Sequence, residues 1–324
     1  MIVSENPAVT GTILHLQRLS TEDGPGIRTT VFFKGCPLKC QWCHNPESLS
    51  LHKQVQWIGN RCIGCESCME ACEQDGLSNT SEGIIRDRAL CIVCGRCVDA
   101  CPAGAMEMLG KDVSVADLTK ELLKDRAYFE KSGGGVTLSG GEPTLQPEFC
   151  GALMDALHAK GVQVALDTCG LCASAVFKQL VEKADLILFD LKLLNSDEHK
   201  RWTGVDNTRI LANLEVVREI VASSAGAKRL WMRTPLIPGA TAFQENLKSI
   251  GAHLAATLNG SVERWELCAF NNLCRDKYER LGMQWAFAET GLLSTEELQQ
   301  LGDWARSGGF DPERTFVTGA TRAG

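Results

Sequence analysis

Two rhythms of apolar residues alternate along most of the chain. Short β-branched and aromatic runs at 29–34 (TTVFFK), 135–139 (GVTLS), 162–167 (VQVALD), 186–190 (LILFD), 229–237 (RLWMRTPLI) and 264–270 (RWELCAF) read as strands. Between and after them, 117–131, 147–161, 173–184, the stretches near 208–223 and 244–257, and 294–308 read as helices. Gly161 stops the second of these, and Ser294 with Glu297 forms a capping box at the last. Repeated βα units imply an α/β fold with a parallel sheet covered by helices. Sites in such folds sit at the C-terminal strand ends. Polar residues collect there: Cys36 after the first strand, Glu142 after the second, Asp167 at the end of the third and Asp190 at the end of the fourth.

From about Gln54 to Gly110 this rhythm disappears and cysteines dominate. The expected division is 1–52 and 113–324 as two parts of one barrel-like unit, with 53–112 inserted. A chain of 324 residues is ample for that. The net charge of −7 argues against a nucleic-acid-binding face. No run approaches the roughly 18 apolar residues of a membrane span, and MIVSENPAVTG lacks the apolar core of a signal peptide. A cytoplasmic protein is expected. Of its 16 cysteines, eleven fall between 36 and 101. Cysteines spaced so tightly are poorly placed to pair with one another and well placed to bind one metal centre, in a reducing compartment.

Cys36, Cys40 and Cys43 form C-x3-C-x2-C. Three thiolates can hold three corners of a cubane iron–sulfur cluster and leave one iron open. The alternative is a zinc loop that borrows His44 or His52. Farther on, Cys62, Cys65, Cys68 and Cys72 form C-x2-C-x2-C-x3-C, and Cys91, Cys94, Cys97 and Cys101 repeat it, followed by Pro102. This is the bacterial ferredoxin pattern, in which the fourth cysteine of each run serves the other cluster. The expected sets are Cys62, Cys65, Cys68 with Cys101, and Cys91, Cys94, Cys97 with Cys72. Glu73 stands where a proline often follows. Cys150 and Cys268 fall in a helix and a strand and read as core, and Cys169 with Cys172 is a C-x2-C without a second pair.

The three-cysteine loop after a first strand resembles the radical S-adenosylmethionine (SAM) superfamily. TEDGPGIRTTVFFKGCPLKCQWCHNPES (21–48) looks like the segment that marks activating enzymes of glycyl radical enzymes. LSGGEPTLQ (138–146), DTCG (167–170), FDLKLLN (189–195), RTPLIPG (233–239) and NNLCRDKYERLG (271–282) follow in that family's order, so the likeness spans nearly the whole chain. The resemblance implies a partial (β/α) barrel with a ferredoxin-like insert, three [4Fe–4S] clusters, and SAM chelating the open iron. It implies that Gly140 and Gly141 form the edge receiving the SAM amino group, with Glu142 ordering that loop. Trp42, Cys43 and His44 would lie against SAM, as would Asp190 and Lys192 with Leu191 between them. Asp167 and Asp190 can hold a monovalent cation. Arg233 would lie near SAM and the partner's glycyl loop. Asn271 stands where relatives often carry histidine; it keeps hydrogen bonding but cannot protonate.

The implied reaction is one-electron reduction of the SAM cluster, cleavage of SAM to methionine and a 5′-deoxyadenosyl radical, and hydrogen abstraction from a backbone glycine of a partner enzyme. Flavodoxin or ferredoxin would supply the electron, in anaerobic cells, to a monomeric activase. One rival is a peptide- or sulfatase-modifying radical SAM maturase, disfavoured by the DGPGIR leader and by the insert's position. The other is a plain electron carrier, which leaves the three-cysteine loop unexplained.

Overall fold

The computed structural model describes residues 9–319; residues 1–8, part of the N-terminal stretch read above, lie outside the described residues. Thr10–Ser20 is a strand (β1) that the apolar rhythm did not reveal, and Arg28–Phe33 (β2) follows it. The cysteine-rich segment contributes strands Gln54–Trp57 (β3), Leu77–Thr80 (β4), Gly83–Arg86 (β5) and Met106–Leu109 (β6). It also holds two short helices, Ser67–Glu70 (α1) and Arg96–Asp99 (α2). Lys111–Ser114 (β7) leads out of it.

The expected helix over 117–131 is in fact two, Val115–Leu122 (α3) and Arg126–Ser132 (α4), separated by a tight turn. The turn brings Asp125 inward, where its carboxylate accepts from Thr29 Oγ1 at 2.7 Å and pairs with Arg18. Then come Gly135–Gly140 (β8), Pro147–His158 (α5), Gln163–Thr168 (β9), Ser174–Lys183 (α6) and Leu186–Asp190 (β10). Ser196–Thr203 (α7) is a helix too polar for its period to show in sequence; Asn195 caps it by accepting from Glu198 N at 3.0 Å. Thr208–Ser223 (α8), Arg229–Leu236 (β11), Gln244–His253 (α9), Val262–Ala269 (β12), Arg275–Arg280 (α10), Thr295–Arg306 (α11) and Thr315–Thr318 (β13) complete the order.

Strands β2, β8, β9, β10, β11, β12 and β13 lie side by side in chain order and all run parallel. β1 pairs antiparallel with β2 and with β7, which closes the sheet at one edge. Lys111 and Asp112, assigned to the insert in the sequence reading, pair with Ile13 and Thr12 of β1. Because the parallel strands never reverse their order, right-handed crossovers put every connecting helix on the same face, as in a (β/α) barrel left open. The main core fills the space beneath those helices, with Val31, Leu138, Leu166, Phe189, Met232 and Trp265 buried in it.

The opposite face of the sheet carries a small apolar patch (Ala165, Leu186, Leu188, Trp231) and otherwise polar side chains. The leader between β1 and β2 crosses that face: Thr137 Oγ1 donates to Asp23 O at 2.7 Å, and Arg233 Nη2 to Glu22 O at 3.1 Å. A second apolar cluster joins Trp42 to Phe270, Tyr278, Trp285 and Phe287 from the last part of the chain. No helix among the described residues is long and apolar enough to cross a membrane.

Candidate functional site

At the end of β2 the chain turns back on itself. Gly35 N donates to Ser48 O at 2.7 Å, and Glu142 N, from the end of β8, donates to Gly35 O at 2.7 Å. A Cβ on Gly141 would stand 2.0 Å from that same Gly35 oxygen, and Gly140 has φ +103°. The glycine pair therefore lets the end of β8 lie directly against the cysteine loop. Glu142 is buried, and its carboxylate accepts from Thr168 Oγ1 and Cys169 N, each at 2.8 Å, and from Thr144 N at 3.2 Å. One side chain thus fixes the loops after β8 and β9 to each other.

Cys36, Cys40 and Cys43 lie half-buried in the loop between Gly35 and Ser48. Backbone N–H groups of Lys39 and Gln41 donate to Thr203 O and Trp202 O at the end of α7, at 2.8 and 3.1 Å. Burial pushes all three thiols up to about 12. Burial thus favours the protonated thiol at each, and a bound metal would be needed to favour the thiolate. Two features fit such a group. Asn45 N donates to Cys43 Sγ at 3.4 Å, the kind of bond that stabilises a thiolate. His44 Nε2 is buried and has no hydrogen-bond partner.

The His44 ring lies 6.0 Å from Phe270 and 6.3 Å from Trp285, and burial lowers its pKa. Trp42 is packed into the aromatic cluster, its ring 6.4 Å from Trp202. Asn271 accepts from Leu273 N at 3.3 Å and shapes the turn that enters α10.

The strand ends beside the loop hold a charge network. Asp190 and Arg233 are register partners on β10 and β11, and Arg233 and Glu266 on β11 and β12. Lys192 Nζ bonds Asp190 Oδ2 at 2.6 Å, and Lys192 is buried. Burial works against the Lys192 ammonium, but the Asp190 carboxylate holds its pKa above the usual lysine value. Arg233 stands 3.6 Å from Asp167 and 3.4 Å from Glu266. Asp167 accepts from Ser139 Oγ at 2.6 Å. Burial, aided by Asp190, raises the Asp167 pKa against the opposing pull of Arg233. Leu191 contributes backbone: its N–H donates to Arg233 O at 2.9 Å and its carbonyl accepts from Thr234 Oγ1 at 2.8 Å.

In the cysteine-rich segment the two repeats share a backbone signature. Gly64 and Glu66 have φ of +70° and +61°, and Val93 and Gly95, at the equivalent places, +58° and +89°. A β-branched residue in that region is a true outlier, retained only where the surroundings demand it. Cys62, Cys65, Cys68 and Cys101 line one cavity of about 240 Å³ with Ala105 and Met106, whose N–H groups donate to Cys101 Sγ at 3.2 and 3.4 Å. Cys72, Cys91, Cys94 and Cys97 line a second, smaller space. Among the described residues no three His, Cys, Asp or Glu side chains converge as they would on a single ion. The insert's two sets of four cysteines each line a separate space. The other C-x2-C is pinned as a turn, with Asn213 Nδ2 donating to Gly170 O and Cys172 O at 2.7 and 3.0 Å.

The Radical SAM superfamily model matches residues 30–246. The trans-4-hydroxy-L-proline dehydratase activating enzyme of Clostridioides difficile is 38% identical over 290 residues, 89% of this chain and 94% of that protein. The chain belongs to the radical SAM activating enzymes of glycyl radical enzymes. The benzylsuccinate synthase activating enzyme of Thauera aromatica is also 38% identical, over 87% of this chain and 85% of its own. Among solved structures, Streptococcus suis SuiB bound to precursor peptide SuiA matches 88% of this chain and 46% of its own. Its TM-score is 0.51 at 11% identity, a likeness of fold alone. Activating enzymes of this family cleave SAM reductively at a [4Fe–4S] cluster and install a glycyl radical on a partner protein.

Sequence reasoning about this activating enzyme missed the supports of the site. Ser139 lay inside the quoted LSGGEPTLQ block without a role and reaches Asp167 only through a tertiary hydrogen bond, and Glu266 carried no motif and enters through strand register. Buried Lys34 donates from Nζ to Glu47 O at 2.7 Å and to Gln54 Oε1 at 3.1 Å. Glu47, Lys277 and Tyr278 lay inside quoted blocks without a role.

Proposed function

We propose that this activating enzyme holds its SAM-binding cluster with Cys36, Cys40 and Cys43 and two further [4Fe–4S] clusters in a ferredoxin-like insert spanning about residues 53–110. The observation that carries the reading is the grouping of the insert's cysteines into two sets of four around separate spaces, while the barrel loop offers three. The strained left-handed Val93, matching Gly64 in the other repeat, supports a backbone wrapped around a bound group.

When bound, the barrel cluster supplies one electron to SAM, giving methionine and a 5′-deoxyadenosyl radical that takes hydrogen from a backbone glycine of the partner. The chain's own residues orient the reactants. The edge at Gly140 and Gly141 offers backbone to the SAM amino group, and Glu142 fixes that edge to the β9 loop. Lys192, held by Asp190, and Arg233, held between Asp167 and Glu266, present cations toward anionic groups of SAM or the incoming peptide. His44, with an unpartnered buried nitrogen, and Trp42 wall the site; Asn271 shapes its rim without a proton to give. Asp167 and Asp190 offer oxygens to a monovalent cation, but Arg233 and Lys192 already compensate them. Exchanging potassium for a large organic cation should therefore change SAM cleavage little.

A monomer would receive its electron from flavodoxin or ferredoxin. The partner is a glycyl radical enzyme, and equal identity to the activases of a dehydratase and of a benzylsuccinate synthase does not choose between such reactions. The test is anaerobic incubation of the reconstituted protein with SAM, reductant and the partner encoded nearby. A doublet EPR signal on the partner that collapses when its glycine carries deuterium at the α carbon is expected. Robust 5′-deoxyadenosine formation with a modified peptide and no partner radical would replace this reading with a maturase.

A further inference from the structure

The cysteine loop is gripped from a distant part of the chain. α10 and its preceding residue present Cys274, Lys277 and Tyr278 at i, i+3 and i+4, one face of a helical turn. Tyr278 OH donates to Cys43 O at 2.9 Å, and Cys274 Sγ lies 3.8 Å from the same carbonyl. Lys277 Nζ bonds Glu47 Oε1 at 2.7 Å, Asn45 Oδ1 at 3.0 Å and His44 O at 3.1 Å. An ammonium has three protons, and all three are spent on this segment. The Tyr278 ring stacks on Trp285 at 5.5 Å and is buried, so the aim of its hydroxyl is fixed by packing. Asn45, held through its side chain by Lys277, gives its own N–H to Cys43 Sγ.

We infer that Lys277 and Tyr278 are positioning residues for the third cluster cysteine, keeping the Asn45 N–H on the Cys43 sulfur and thereby setting the ease of reduction of the SAM-binding cluster. The inference rests on the assignment of Cys43 as a cluster ligand. Hydrogen bonds to ligand sulfurs raise a cluster's potential, so loosening this one makes the cluster harder to reduce. The far end of α10 faces the insert, where Arg88 Nη2 donates to Leu281 O. The latch is therefore braced from the insert side as well.

The test measures hydrogen–deuterium exchange of residues 43–49, iron content, and the reduction midpoint of the SAM-responsive EPR signal in the reconstituted protein. Tyr278→Phe removes one hydroxyl and should speed exchange in 43–49 about fivefold to tenfold at unchanged iron content. Lys277→Met should do more and lower the midpoint, and Lys277→Arg should restore part of both. Should Lys277→Met lose iron because Glu47 is left buried without its cation, the Glu47→Gln, Lys277→Met pair keeps the test open: iron retained with fast exchange in 43–49 supports the latch. Wild-type exchange in Tyr278→Phe and in that pair, or acceleration spread equally over β8 to β10, overturns it. A wild-type protein that makes no 5′-deoxyadenosine would overturn the functional reading, while the exchange pattern would still judge the latch.

Discussion

The barrel loop and the insert both collect cysteines, but the loop holds all of its thiols in a burying environment, whereas the insert mixes buried Cys68 and Cys97, which burial also pushes up, with exposed Cys65 and Cys94. The loop has three, all in surroundings that push the thiols up to about 12, with α7 on one side and α10 on the other. The insert has two sets of four, and Cys65 and Cys94 reach the surface. Hydrogen bonding from Ser67 lowers the Cys65 thiol, and at Cys101 backbone N–H groups outweigh the upward push of burial. An incomplete ligand set held inside protein suits chemistry on a bound substrate. The four-cysteine sets proposed for the insert, partly at the surface, would suit electron traffic, where close approach matters and an open coordination position would be a liability.

The sharpest way to break this contrast is to remove one ligand from each region. Cys40→Ala should abolish 5′-deoxyadenosine formation while iron falls only from about twelve to about eight per chain. Loss of all iron would show that the regions are not separate. Cys94→Ala should preserve much of the SAM cleavage driven by a strong artificial reductant but impair partner activation by the natural donor. Equal loss with both reductants would reduce the insert to scaffolding.

The buried charges of the barrel offer a milder test. Asp167 has a raised pKa in the fold, so the native state binds more protons than the unfolded chain above the ordinary carboxylate pKa. That group's contribution is greatest at low pH and is lost as pH rises from about 4 toward neutrality. Asp167→Asn should flatten this decline, read as urea midpoints of the apo protein across that range. A slope identical to the parent's would place the burden on another group.

Brief alkylation of the apo protein followed by peptide mass spectrometry should label Cys65 and Cys94 well before Cys36, Cys40 and Cys43. Uniform labelling would erase the proposed difference in environment. The smallest effect is expected inside the insert. Val93→Gly matches Gly64 of the other repeat and relieves a left-handed β-branched residue, which should stabilise by about 1 kcal/mol less the entropy cost of glycine. Destabilisation would mean that the Val93 side chain, partly buried against the insert core, outweighs its backbone strain.

Six of the parallel strands were legible because each is buried on the helix side and reads as a short apolar run; the seventh, β13, escaped because its four residues, TFVT, are too few to show a rhythm. β1 escaped because bulges between Ile13 and His15 and between Gln17 and Ser20 break its alternation. α7 escaped because its eight residues, SDEHKRWT, carry almost no apolar stripe. The ligand candidates were legible because cysteine spacing is a local signal. Their supports were not, since Ser139 reaches Asp167, and Tyr278 reaches Cys43, only through a tertiary approach that no local spacing encodes.

Tyr278 and Cys43 are 235 residues apart in the chain. During synthesis the N-terminal cysteines emerge long before the helix that seats them. The barrel loop therefore leaves the ribosome as a set of unsupported thiols, exposed to oxidation and to the wrong metal. If these cysteines hold iron as proposed, loading at this site would have to wait for α10, whereas the insert, with all eight of its cysteines between 62 and 101, would have its proposed ligands together far earlier.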